Sequence, residues 1–268
     1  STNFTVGKSS QLRVAIECNT GSNACNSFNN DPVYSIKSLV ESAGHTATIV
    51  DGSDIDTLAE LSNYDVIVLG DAGFNDDDHS SFQSALKTWV QNGGGLVGTG
   101  WILFSTPFGS DMDQLLPVSP SYTSFFGGTL VVTDTTHEIM QGVNSFANPT
   151  YCEVPSSAAA DLGAFVLGTC SGYPSVVAKE FGEGNVVYLG PIYYGDFQSY
   201  GSALYSNSDA RKLLLNSVQY VAGKSSIGVI LPPNFTANVT FFINATDLSG
   251  NTNQSGTFSY IADGLAPT

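Results

Sequence analysis

Residues Trp89 to Trp101 read WVQNGGGLVGTGW, and the fold turns on how the two parts of this stretch are read. The first part ends an amphipathic helix, because Phe82, Leu86, Trp89 and Val90 recur at helical spacing and share one face. Asn92 and the three glycines behind it stop that helix, since glycine tolerates the left-handed backbone with which helices commonly end. The second part, Leu96 to Thr99, is a short apolar run of small residues, the character of a strand covered on both faces. Upstream the same alternation repeats. Leu12 to Glu17 (LRVAIE) is a buried strand; Ile36, Leu39, Val40 and Ala43 mark a helix stopped by Gly44; His45 to Val50 (HTATIV) and Asp65 to Leu69 (DVIVL) are two further strands. Strands alternating with helices predict an α/β domain with a doubly wound, mostly parallel, flavodoxin-like sheet and right-handed crossovers. Asp76, Asp77 and Asp78 precede the helix of Phe82, where carboxylates complement the positive helix end; capping is preferred to calcium binding.

Downstream of Trp101 the pattern becomes β-rich, with strands expected at Thr129 to Thr133, Ala164 to Gly168, Ser175 to Phe181 and Asn185 to Leu189. Gly182-Glu183-Gly184 joins the last two as a hairpin. A final amphipathic helix carrying Ala210, Leu213, Leu214, Val218 and Val221 closes the domain at Gly223. The expected organisation is an arm over 1–10 able to act as a donor strand, an α/β domain over 11–223, and a β-rich segment over 224–268. In that segment Val239, Phe241, Ile243 and Ala245 alternate with polar residues. An immunoglobulin-like sandwich needs about seven strands, so the segment is expected to be part of one.

The chain has 268 residues with Lys+Arg 8 against Asp+Glu 24, a formal net charge of -16. Such a surface repels phosphate backbones and anionic lipid, which argues against nucleic-acid and membrane-surface binding. No apolar run reaches the roughly 18 residues of a membrane-spanning helix, and a chain starting at Ser1 reads as a processed product. The four cysteines fall as two close pairs, Cys18 with Cys25 and Cys152 with Cys170. In an oxidising compartment these are the expected disulfides; four free thiols are the intracellular alternative. His45, His79 and His137 stand at no ligand spacing from a cysteine pair, so no metal or other cofactor is expected. Asn-x-Ser/Thr sequons at Asn3, Asn234, Asn238, Asn244 and Asn253 point to an extracellular or cell-surface glycoprotein. The plain alternative is that Asn and Thr are common in exposed strands.

Several stretches, VESAGHTATIVDG, YDVIVLGDA, WVQNGGGLVGTG, THEIMQGVNSF, EFGEGNVVYLGP and RKLLLNSVQYVAG, resemble the class I glutamine amidotransferase-like superfamily, and its ThuA-like branch most closely. The resemblance implies a sharp strand-to-helix elbow bearing a nucleophilic cysteine, with a histidine and a glutamate later in the chain. Here the elbow is Gly98-Thr99-Gly100-Trp101, and the nucleophile position falls on Gly100. The stretch expected to hold the histidine reads Gly190-Pro191-Ile192-Tyr193-Tyr194, so no catalytic residue is assigned. Thr99 is a neighbouring hydroxyl that would need a general base. His137 matches a segment whose role is structural.

In open α/β sheets ligands bind outside the carboxyl ends of the strands. The residues expected there are Glu17, Asp71, Thr99, Trp101 and Tyr193, an aromatic platform with polar groups that suits a sugar; the plain alternative is that Trp101 fills the vacated pocket. Two functions are therefore expected. The first is a structural subunit of a cell-surface layer or extracellular filament, self-associating by strand exchange through unpaired edges and carrying N-glycans. The second is a carbohydrate-binding or carbohydrate-processing protein with an immunoglobulin-like spacer.

Overall fold

The computed structural model describes residues 11–18, 32–70, 79–157, 160–193 and 204–223, together with the strand segments 236–241, 244–246, 252–254 and 258–263. The chain divides into two units, Ser1–Ser225 and Ser226–Thr268.

The first unit begins as its apolar runs dictate. Strands β1 (Arg13–Glu17), β2 (Thr46–Val50), β3 (Val66–Leu69) and β4 (Gly95–Thr99) lie in the order β2-β1-β3-β4, all parallel. Alternate residues of each strand enter opposite cores. Val14, Ile16, Val68 and Val97 pack with helices α1 (Pro32–Ser42) and α5 (Ser208–Val221). Ala15, Ile67, Leu69 and Leu96 pack on the other face with α3 (Gln83–Gln91) and α4 (Asp111–Leu115). The short helix α2 (Leu58–Leu61) starts in a capping box between Thr57 and Glu60, and Asn207 caps α5 by accepting the N–H groups of Asp209 and Ala210. Such caps satisfy donors that a helix start leaves bare. Asp76, Asp77 and Asp78 lie outside the described residues. The glycine triplet has a packing reason as well as a conformational one: a Cβ on Gly94 would come within 2.3 Å of the Trp89 ring.

The expected flavodoxin-like, mostly parallel sheet is corrected. Nine strands form one mixed sheet in the order β2-β1-β3-β4-β11-β10-β9-β6-β7. Beyond β4, the strand β11 (Gly184–Leu189) is still parallel to its neighbour, but β10 (Tyr173–Phe181), β9 (Phe165–Cys170), β6 (Thr129–Val132) and β7 (Phe146–Ala147) are joined antiparallel. The physical reason is connection length. Phe181 pairs with Gly184, leaving Gly182 and Glu183 as the turn, whereas a parallel crossover needs a dozen or more residues. Two further strands, β5 (Tyr122–Phe126) and β8 (Tyr151–Pro155), form a separate antiparallel ribbon.

In the second unit β12 (Thr236–Phe241) pairs antiparallel with β15 (Phe258–Asp263), and β13 (Asn244–Thr246) with β14 (Thr252–Gln254). Among the described residues no helix is long and apolar enough to cross a membrane.

Candidate functional site

The turn after β4 leaves no space for a side chain at Gly100. Thr99 pairs with Leu189, and the Gly100 N–H donates to the Pro191 carbonyl at 3.3 Å, which presses this backbone against the segment following β11. A Cβ on Gly100 would lie 2.5 Å from the Gly190 oxygen and 2.8 Å from Ile192 Cγ1. No side chain fits there without moving backbone. The left-handed residue of the elbow is instead Trp101, with φ of 76°, a conformation that costs an L-residue roughly 1–2 kcal/mol. The Thr99 hydroxyl is fully buried and has no hydrogen-bond partner among the described residues.

A residue with no sequence signal holds the strained turn. Glu153, fully buried in β8, accepts the N–H of Leu103 at 3.1 Å and of Phe104 at 2.9 Å, and its carboxyl also takes the Trp101 N–H. The Tyr188 hydroxyl donates to the Glu153 carbonyl at 2.8 Å and lies 3.3 Å from Oε2. Burial pushes the Glu153 carboxyl up to about 8, with the backbone donors pulling the other way. Side-chain hydroxyls complete the turn: Ser105 donates to the Trp101 carbonyl at 3.2 Å and Thr106 to the Ile102 carbonyl at 2.7 Å.

This turn lays Trp101 and Phe104 into a row of rings. Tyr122 meets Phe104 at 5.4 Å between centroids, Phe104 meets Trp101 at 6.3 Å, Trp101 meets Tyr151 at 5.9 Å and Tyr151 meets Phe126 at 5.1 Å. Tyr122 and Phe126 project from the same face of β5, because they are four residues apart on a strand. The row is open: Phe104 is 54% exposed, Phe126 64% and Tyr122 40%.

Thr99 and Trp101 thus share one strand end, as expected. Glu17 is buried at the end of β1, and β3 stands between that strand and β4. Tyr193 is buried in the core, where its hydroxyl donates to the Ala210 carbonyl at 2.7 Å. Asp71, Asn3 and Asn234 lie outside the described residues; Asn238, Asn244 and Asn253 fall in β12, β13 and β14. His137 is structural: its Nδ1 accepts the Ile139 N–H, and its ring lies 5.0 Å from that of Tyr220. Glu153, Phe104, Tyr122, Tyr151 and Phe126 were not expected, although the alternation Tyr-Thr-Ser-Phe-Phe over 122–126 was a readable trace of a strand.

The expected Cys152–Cys170 disulfide is corrected. Both are buried free thiols in hydrogen-bond contact with each other, and the Cys152 sulfur also meets the Ser175 hydroxyl at 3.0 Å. Cys18 is disulfide-bonded, and Cys25, its expected partner, lies outside the described residues.

No family model matches this chain, and no curated protein matches it. Solved structures do. A cytoplasmic protein from Salmonella typhimurium aligns with a TM-score of 0.62 at 17% identity, covering 80% of this chain and 100% of that one. A second cytoplasmic protein from the same organism gives 0.57 at 18%, covering 78% and 98%. A ThuA-like protein from Bacteroides uniformis gives 0.60 at 16%, covering 84% and 98%. The extracellular and cell-surface placement, and the filament built on it, are corrected accordingly: the fold is shared with proteins described as cytoplasmic. At these identities the agreement is one of fold, and the fold is shared with ThuA-like proteins.

Proposed function

We propose that this chain is a carbohydrate-binding protein without catalytic activity, built on an amidotransferase-like domain whose elbow displays an aromatic platform in place of a nucleophile. The observation that carries this reading is the open row of five rings centred on Trp101. Sugar rings offer C–H faces that lie on aromatic faces, while their hydroxyls need polar neighbours. Here Ser121 and Ser156, hydrogen-bonded to one another, and Ser124 stand beside the row. From Tyr122 to Phe126 the strand rises about 13 Å, enough for more than one sugar unit. The net charge of -16 favours neutral glycans over acidic ones. Loss of the catalytic residue is supported by the contacts that exclude a side chain at Gly100 and by the unpartnered hydroxyl of Thr99. We read the β12–β15 unit as part of an immunoglobulin-like spacer.

A neutral-glycan array followed by calorimetry tests the proposal. Binding that falls at least about tenfold in Trp101→Ala and Phe104→Ala, the loss of one aromatic contact of roughly 1.4 kcal/mol, supports it. Absence of binding to any neutral glycan sinks it, and turnover of a bound glycan or of glutamine sinks the claim of inertness.

A further inference from the structure

A second feature lies apart from the aromatic row, between α1 and α5. The two helices leave a cavity of about 330 Å³, lined by Tyr34, Ser35, Ser38 and Leu39 on one side and by Tyr205 and Arg211 on the other. This volume falls within the range of small-molecule sites. Ser35 and Ser38 stand three apart on α1, beside the buried stripe of Val33, Ile36 and Val40.

The charge of Arg211 is what this cavity has to account for. Arg13, Lys37, Lys87 and Lys179 are each ion-paired, with Asp65, Glu41, Asp111 and Asp161. Lys212 donates to the Gly142 carbonyl at 2.6 Å. Among the described residues Arg211, which is exposed, is the one cation whose side chain makes neither an ion pair nor a hydrogen bond. Asp209, two residues before it on α5, accepts the Asn144 N–H at 2.9 Å, and Glu41 on α1 pairs with Lys37.

We propose that the cavity binds a small organic anion through a carboxylate or phosphate group, with Arg211 as its counter-charge. The guanidinium fork matches two oxygens of either group. The Ser35 and Ser38 hydroxyls can donate to the remaining oxygens, and Leu39 and Tyr34 cover the carbon skeleton. The proposal is independent of glycan binding at Trp101.

The test is NMR titration of the arginine side-chain Nε–Hε signals at constant ionic strength, using inorganic phosphate, a sugar phosphate, succinate and, as a neutral control, glucose. The expected result is a saturable shift of the Arg211 signal with at least one anion, preserved in Trp101→Ala. Affinity, read by calorimetry with the same anions, should fall about tenfold or more in Arg211→Gln, the loss of a charge-assisted hydrogen bond, with partial recovery in Arg211→Lys. Preference between phosphate and succinate then identifies the anionic group. No saturable shift at millimolar concentrations, an equal response to glucose, or unchanged affinity in a folded Arg211→Gln variant overturns the proposal.

Discussion

Glu153 holds Trp101 from below. The carboxyl of a buried residue in β8 gathers the N–H groups of Trp101, Leu103 and Phe104, and the residue it secures has φ of 76°. A bulky residue persists in that region only when its surroundings over-determine it. The pair therefore links the interior to the surface: an ionisable group excluded from water sets the angle at which an aromatic ring is offered to solvent.

Burial raises the Glu153 carboxyl to about 8 in the folded chain, against about 4.3 when unfolded. Between those values the folded state keeps a proton that the unfolded state has released. Stability from this group is therefore complete below the unfolded value and is lost as pH rises through 8. Urea denaturation should show the wild type losing a few kcal/mol between pH 5 and pH 8.5, and Glu153→Gln should flatten that slope. An identical slope in the variant would place the titration elsewhere.

Trp101 separates strain from packing. Trp101→Gly removes the left-handed penalty together with the ring, while Trp101→Ala removes the ring and keeps the penalty. Denaturation midpoints should place the glycine variant about 1 kcal/mol above the alanine variant, with glycan affinity lost in both. If alanine proves the more stable, the backbone at 101 is not left-handed in solution.

The parallel half of the sheet was legible in the sequence because β1, β3 and β4 are buried on both faces and read as continuous apolar runs. Strand direction was legible only at the Gly182-Glu183-Gly184 hairpin. Val176 and Val177 alternate in the same way whether the neighbour runs parallel or antiparallel, and only the two-residue turn at Gly182 and Glu183 decides it. The ribbon that builds the platform was hidden for another reason. Tyr151 to Pro155 contains a glutamate, which patterns as solvent-facing, yet Glu153 is fully buried because its partners are backbone donors that no side-chain pattern reveals. Likewise, the turn after β4 was legible in its glycines, but the left-handed backbone falls on Trp101, one residue beyond Gly100.

Restoring a cysteine at the elbow should fail. Gly100→Cys must displace the Gly190 carbonyl or Ile192, since the new Cβ would begin 2.5 Å and 2.8 Å from them. A destabilisation of about 2 kcal/mol is expected in thermal or urea unfolding, with no glutamine hydrolysis in a coupled ammonia assay. A stable, active variant would mean that the elbow relaxes far more easily than its packing implies.

The thiols of Cys152 and Cys170 give a chemical readout of the ribbon. Both sulfurs are buried; burial pushes the Cys152 thiol well above its ordinary range, whereas the hydrogen bond with Cys152 lowers that of Cys170, so it is burial that shields the pair from reagent. Alkylation without reductant should be slow in buffer, while in denaturant both residues should be labelled, as peptide mass spectrometry can show. Recovery of the two as one cross-linked peptide would contradict the thiol state. Glu153→Ala should speed the native reaction, because Glu153 adjoins Cys152 in β8 and its loss frees the 101–104 turn that covers this face of the ribbon.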